Sequence, residues 1–369
     1  MNLCASGATA EWPNKIEEYE REYAGRGYEP PPVDEESQSE LDAQALQRYN
    51  EYRDQWISLW SPNYGSFEDI NLNLLIPNLL LPCAATIPWK RYTDEPAPPE
   101  TYYCNTLQIF SARVMGLKHG LQWPLDVFGM VAVRDNVDRK RNIIFYRERD
   151  NCQTLTKKDP YLVLTGPTRA VVLTDPVTFE VILKVKGAIE CQDKVLSFLA
   201  QRLILHSPAT LSSRLFYESY TSNRSTLRFK FADIGLSVEA TISVRVIDGS
   251  FPKGFHGQFA ARTAGVVHDE DVVHEKVVLL DFGDENASFI GDNGSIELSR
   301  RVISVGVRGH LEVCVKVWRD EYMALEEDKV EFMPKDAGVS FGSQPLQVAS
   351  CQMVVTVSWS LISSDPEPM

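Results

Sequence analysis

Leu121-Gln122-Trp123-Pro124-Leu125-Asp126-Val127-Phe128-Gly129-Met130-Val131-Ala132-Val133-Arg134-Asp135 opens a run of short β-type segments that continues to Gly187. Val127–Val133, Asn142–Tyr146, Tyr161–Leu164, Ala170–Leu173 and Val177–Val185 are rich in Val, Ile, Leu, Phe and Tyr. Turn chemistry such as Thr165-Gly166-Pro167 and Thr174-Asp175-Pro176 separates them. Val181, Leu183 and Val185 alternate with Ile182, Lys184 and Lys186, the pattern of a half-buried strand. Upstream, Leu107–Met115 alternates in the same way. After the run, Asp193–Leu205 reads as a helix.

The second half carries Thr226–Phe231, Ser237–Val246, Gln258–Thr263, Lys276–Leu280, Ser295–Leu298, Val302–Val307, Leu311–Val317 and Gln352–Ser360. Regular short strands at this spacing predict a mostly β, antiparallel sandwich. The halves echo one another. Phe110–Val114, Trp123-Pro124 and Val127-Phe128-Gly129 match Ile242–Val246, Phe251-Pro252 and Phe255-His256-Gly257. Val133-Arg134-Asp135 falls where Ala261-Arg262-Thr263 does, and Phe179–Val185 where Leu311–Val317 does. Arg134 lies 50 residues before Lys184, and Arg262 lies 54 before Lys316. Two tandem β units, or one sandwich built from two related halves (101–190 and 225–361), would produce this.

The first hundred residues differ in texture. Residues 1–60 hold 13 acidic and 5 basic side chains, leaving about −6 of the total −14 for the rest. Glu11–Tyr23 reads as one short helix, stopped by Pro30-Pro31-Pro32, in an acidic arm too polar to order itself. From Ser39 to Trp60 a helix is predicted, with Ser39 and Asp42 as a capping box. Leu41, Ala45, Tyr49, Tyr52, Trp56, Leu59 and Trp60 give it one aromatic face. The expected organisation is therefore an arm over 1–100 with a helix at 39–60, followed by a β domain over 101–369. Ile70–Pro88 is apolar but broken by Pro77 and Pro82, which points to a segment docked on a core and no membrane span.

Seven cysteines, odd in number and never spaced C-x-x-C, argue against a zinc site or a disulfide framework and for a reducing, cytoplasmic setting. No signal-peptide pattern opens the chain, so the Asn-x-Ser sequons at Asn223, Asn286 and Asn293 read as chance matches. The acidic balance argues against non-specific nucleic-acid binding.

Leu121–Gly129 with Arg134-Asp135, Arg147–Gln153, Tyr161–Ala170, Asp175–Glu180 and Ser237–Val244 together resemble a plant protein family abundant in cereals, domain-of-unknown-function family 6598. The resemblance spans Leu107 to Leu361, about two thirds of the chain. It supplies no catalytic residues and implies no cofactor. Some relatives look like fusions to jasmonate-induced ribosome-inactivating domains, which implies a stress or defence setting; that domain is not evident here.

Several constellations invite chemistry. Glu239 and Arg245 share letters with the rRNA N-glycosylase pair, but their spacing on a strand-like segment separates them. His268–Glu275 gathers ligand-type residues and reads as a solvated hairpin tip. Asp135, Asp138 and Asp150 suit the calcium loops of lipid-binding C2-like sandwiches, although Arg134, Arg139, Lys140, Arg141, Arg147 and Arg149 crowd the same region. Gly291-Asp292-Asn293-Gly294 is a hairpin turn. The reading is a non-catalytic binding module with an unidentified protein partner. Its candidate interaction surface comprises Trp123, Arg134, Asp135, Arg139, Arg141, Arg147 and Arg149. The alternatives are a C2-like lipid or calcium sandwich, or an accessory to ribosome-inactivating proteins. A binding module should expose an apolar patch or an uncovered strand edge.

Overall fold

The computed structural model describes residues 35–67, 70–71, 93–118, 120–205, 212–222, 224–251, 254–268, 271–272, 274–283, 289–320 and 323–363. The helix expected at 11–23, most of Ile70–Pro88, the sequons at Asn223 and Asn286 and the end from Asp365 lie outside the described residues.

Among the described residues one long helix, α1 (Glu35–Tyr64), accompanies three sheets. In the first, β1 (Ile70–Asn71), β4 (Arg141–Arg147), β3 (Leu125–Arg134), β7 (Val177–Val185) and β8 (Lys194–Leu203) lie in that order, and β5 (Gln153–Leu155) joins β3. The second runs β13 (Asp271–Val272), β12 (Val266–His268), β9 (Ser213–Thr221), β10 (Ser225–Asp248), β2 (Cys104–Leu117) and β6 (Val171–Val172). Its other members are β15 (Val302–Gly306) and β20 (Cys351–Ser360), which pair with β10, and β18 (Ala337–Phe341) and β19 (Leu346–Val348), which pair with β20. The third is β14 (Lys276–Phe282), β11 (His256–Thr263), β16 (Leu311–Asp320) and β17 (Met323–Phe332). Pairing is antiparallel except for β1 with β4 and β9 with β12. No sheet closes into a barrel among the described residues.

Two cores follow from this layout. Leu227, Phe229 and Phe231 of β10 pack with Val127 and Val131 of β3 and with Phe179, Val181 and Leu183 of β7. Farther along the same strand, Ile234, Val238, Ala240, Ile242 and Val244 pack with Phe259 of β11, Val313 and Val315 of β16 and Trp359 of β20. The inward positions of β10 are odd-numbered up to Phe231 and even-numbered from Ala232. The change falls between Phe231, in the first core, and Ala232, in the second, beside a register irregularity at Lys230/Phe231. The molecule is thus two sandwiches sharing one continuous strand.

The two outer sheets have the same topology: β4-β3-β7-β8 in one, β14-β11-β16-β17 in the other. The echoed segments occupy equivalent central strands, β3 with β7 and β11 with β16.

Several expectations need correction. Asp193–Leu205 is strand β8, not helix. Leu196 and Leu203 face the core while Phe198 and Ala200 face α1, and the unpaired edge of β7 supplies a hydrogen-bonding ladder that local helical spacing cannot match. Thr226–Phe231 and Ser237–Val246 are one strand of 24 residues. Tyr161–Leu164 forms no strand, only a bridge from Tyr161 to Arg113. Helix α1 begins before Ser39, so no capping box forms there; Asp42 instead pairs with Arg224 at 2.9 Å. The turn at Gly291–Gly294 forms as expected, with Gly294 at φ +78°.

Gly129 sits in the middle of β3 at φ +113°, where a Cβ would overlap the Ile182 carbonyl of β7. Gly129→Ala is expected to destabilise the protein by roughly 2–3 kcal/mol, combining backbone strain with the clash. Denaturant unfolding followed by circular dichroism measures it; a change under about 0.5 kcal/mol would contradict the packing described.

Candidate functional site

The arginine-rich region is resolved into two closed ionic cells and a thin outer layer. The first cell is built on Glu180, at an outward position of β7 with its side chain fully buried. Arg134 Nε donates to Glu180 Oε2 at 2.9 Å, and Arg141 NH2 donates to Oε1 at 2.6 Å. The Tyr49 hydroxyl of α1 donates to the same carboxylate and accepts from Arg141 NH2 at 3.1 Å. Arg134 stacks on Phe67 at 4.2 Å and on Trp56 at 5.2 Å, and its remaining donors reach the carbonyls of Phe67 and Arg139. Trp56 Nε1 also donates to the Arg139 carbonyl, at 3.1 Å.

Burial raises the Glu180 pKa, but Arg134 and Arg141 outweigh it and hold the carboxyl below the ordinary range. Burial and the neighbouring Glu180 charge push the Tyr49 phenol up, so it stays a donor. The helix face read from sequence therefore packs on its own protein. Ala45, Tyr49 and Trp56 are buried and Tyr52 and Trp60 half-buried, whereas Leu59 is exposed.

The second cell closes around Arg169. Its NH1 and NH2 grip Asp135 at 2.6 and 2.7 Å, and NH2 also reaches Asp138 at 2.9 Å. Asp135 accepts further from the backbone N–H of Val137 and Val172. Burial lowers the Arg169 pKa, and the two carboxylates more than reverse that. Asp150 lies apart on the surface beside Lys186 at 3.4 Å, so the three aspartates considered for calcium are not gathered. Among the described residues no three His, Cys, Asp or Glu side chains converge as a metal site.

Of the residues offered as an interaction surface, Arg134, Asp135 and Arg141 are thus buried, and a partner reaches Arg134 and Arg141 only if α1 leaves. Arg139 is partly exposed, stacked on Trp60 at 4.2 Å. Arg149 pairs with Asp193 at 2.9 Å, Arg147 is half-buried, and Trp123 is half-buried against the first core. His274 is exposed, and Glu275 of the acidic tip pairs with Lys230 at 2.6 Å.

A different place offers room for a ligand. Where the sandwiches meet, Phe110 and Ser111 of β2, Asp159, Tyr161–Leu164, Val278–Asp281 of β14, Ser299 and Arg300 line a partly open cavity of ≈ 210 Å³. Arg300 is 3% exposed. Its NH2 donates to the Ile109 carbonyl at 2.6 Å, and its Nε–H has no partner. Sequence reasoning missed it. The signal was the pair Arg300-Arg301 wedged between two apolar segments, which reads equally well as a turn.

At the outer margin, β18 is an edge strand whose Val339 and Phe341 are exposed, Phe341 to 70%. Met333, just after β17, is also exposed.

A family model described as domain of unknown function (DUF6598) matches residues 106–357. A comparison with curated protein sequences finds no match. Among solved structures, human GIVD cytosolic phospholipase A2 in complex with methyl gamma-linolenyl fluorophosphonate is similar at 10% identity and a TM-score of 0.23. That alignment covers 71% of this chain and 33% of the phospholipase chain, so the chain spans about a third of that enzyme's length. No described helix is long and apolar enough to cross a membrane.

The Glu180 cell is testable against its counterpart in the second outer sheet, where Arg262 NH1 donates to Glu312 at 2.8 Å and Lys329 to the same carboxylate at 2.6 Å. Glu180→Gln leaves two buried guanidinium groups without a counter-charge and should cost about 3–5 kcal/mol. Glu312→Gln, in a pair whose Arg262 is 37% exposed, should cost about 1 kcal/mol or less. Because the folded pKa of Glu180 is depressed, its contribution is present above the unfolded carboxylate pKa and lost as pH falls through the folded one. Stability curves between neutral and acidic pH should therefore fall less steeply for Glu180→Gln than for the native chain.

Proposed function

Since the chain belongs to the DUF6598 family of domains of unknown function, we propose from its geometry that it is a non-catalytic binding module that takes a small ligand at the junction of its two sandwiches. The cavity carries this reading: its walls come from both halves, and apolar side chains dominate them with a few polar groups between. Its ≈ 210 Å³ lies below the range of about 300–1,000 Å³ common for drug-sized ligands, so the occupant is small. Its polar lining comprises Ser111, Asp159, Tyr161, Asp281, Ser299 and Arg300. The family resemblance, through relatives fused to ribosome-inactivating domains, supports a plant stress or defence setting. The free Cys104, Cys152, Cys191, Cys314 and Cys351 support a reducing, cytoplasmic one.

Val278, half-buried on the cavity wall, offers the test. In a ligand-observed NMR fragment screen of the full chain, small apolar fragments should bind the native protein and be lost on Val278→Trp, which fills the space. A screen in which no hit responds to that substitution would overturn the reading.

A protein partner is the second reading, favoured by the exposed Val339 and Phe341 of edge strand β18, whose Gly338 N–H is taken by the Thr93 carbonyl, so that the apolar side chains offer the contact. Affinity capture with native and Phe341→Asp baits decides it. A stoichiometric partner held by the native chain and lost by the variant supports the edge; a partner held by both places the contact elsewhere.

A further inference from the structure

The charge inventory of the interior singles out one residue. Arg134, Arg141, Arg169 and Arg300 are the arginines buried to 4% exposure or less among the described residues. Three of them face carboxylates: Arg134 and Arg141 face Glu180, and Arg169 faces Asp135 and Asp138. Arg300 faces none. A single backbone carbonyl accepts one of its hydrogens, and its Nε–H is unmatched although fully enclosed. With burial as the cause and no anion to offset it, its pKa falls to about 9, so it still carries its charge at neutral pH. A guanidinium in that position is an incomplete ion pair, and it lines the cavity between the sandwiches.

We propose that Arg300 is the anchor of a binding site for a small monocarboxylic acid with an apolar body, the carboxylate completing the ion pair and the body lying against Phe110, Leu162, Leu164 and Val278. This rests on the cavity being a ligand site and names the class of its ligand. A guanidinium matches a carboxylate with two parallel N–H donors, which gives both strength and orientation. Asp159 and Asp281 also line the cavity, both solvent-exposed, and their repulsion is about twice as large for a phosphate dianion as for a monocarboxylate, which makes the monoanion the better fit. The remaining contacts are apolar, so an acid without a hydrophobic body forgoes most of the wall.

Phenylacetate and its neutral relative phenylacetamide, titrated into the full chain by calorimetry at neutral pH, separate the ligand class from the site. The acid is expected to bind at least about tenfold more tightly than the amide, the order of one charge-assisted pair. Arg300→Met should abolish that difference, and Val278→Trp should remove both ligands. The comparison on the native chain stands by itself if Arg300→Met fails to fold. Equal binding of acid and amide, both lost on Val278→Trp, would overturn the carboxylate proposal and leave the cavity as a neutral site. Absence of binding by either compound would overturn the carboxylate class and count against the cavity together. Binding of the acid that survives both substitutions would place it outside the cavity and overturn the proposal as well.

Discussion

The whole architecture depends on the backbone ladder of β10. At 24 residues it is far longer than the 3–10 residues usual for a strand. Its first part is held between β2 and β9, its later part by β15 and β20. Two cores joined through an ordinary linker would be free to move, and relative motion is the default for domains with small interfaces. Here rotation of one sandwich against the other would have to break hydrogen bonds within a sheet that belongs to both. The junction cavity has one wall on β2, which pairs directly with β10, and the other on β14 of the third sheet. A site built on such strands is preorganised, which lowers the ordering cost a ligand has to meet.

The same residue pair in two surroundings shows what α1 does. Arg134–Glu180 and Arg262–Glu312 join equivalent strands of the two outer sheets at 2.9 and 2.8 Å. On the third sheet the pair lies among Lys276, Lys316, Lys329 and Glu331 on a solvated face. On the first, Tyr49, Trp56 and Phe67 close over it, and Phe198, Ala200 and Ile182 of the sheet complete an apolar rim. Removing water strengthens the Coulomb term and raises the desolvation cost together. The second Arg–Glu bond, the tyrosine hydroxyl and the aromatic faces over Arg134 and Arg141 supply the compensation. One outer sheet seats a helix whose rings stand where the other sheet meets solvent.

What was legible in the sequence followed from periodicity and turns. The strands Val177–Val185 and Gln352–Ser360 read correctly because alternate residues face a core and water or a partly polar layer. The aromatic stripe of α1 read correctly because its 3.6-residue spacing is unbroken. Asp193–Leu205 misled because Leu196, Leu199 and Leu203 stand at helical spacings of three and four, whereas a register irregularity at Leu196 lets a strand paired on β7 turn all three to one core. The arginines misled for another reason. Charge in a row such as Arg139-Lys140-Arg141 reads as surface, yet Arg141 and Lys140 are 4% exposed, and Arg141 finds its partner Glu180 39 positions away. Ion pairing between strands far apart in sequence is a property of topology, and nothing local announces it. The same holds for the cavity, whose walls are drawn from residues 110 to 300.

The interior of this protein follows a rule that makes its exception informative. A buried ion left without its partner is among the most destabilising features a fold can carry, at about 3–5 kcal/mol for the loss of one partner. Glu180 answers Arg134 and Arg141, and Asp135 with Asp138 answers Arg169, each with several hydrogen bonds at 2.6–3.0 Å. Replacing Arg300 by an apolar residue would relieve the chain of such a cost without touching either ionic cell. Its hydrogen bond to the Ile109 carbonyl uses one donor and needs no charge, and Phe110, Leu279 and Leu280 form an apolar wall beside it. The charge is accounted for if its counter-ion arrives from outside, since ground-state discomfort in the empty site becomes affinity when the anion enters. Stability and binding are then opposite sides of one interaction, and the strand shared by the two sandwiches keeps its geometry in place until the ligand completes it.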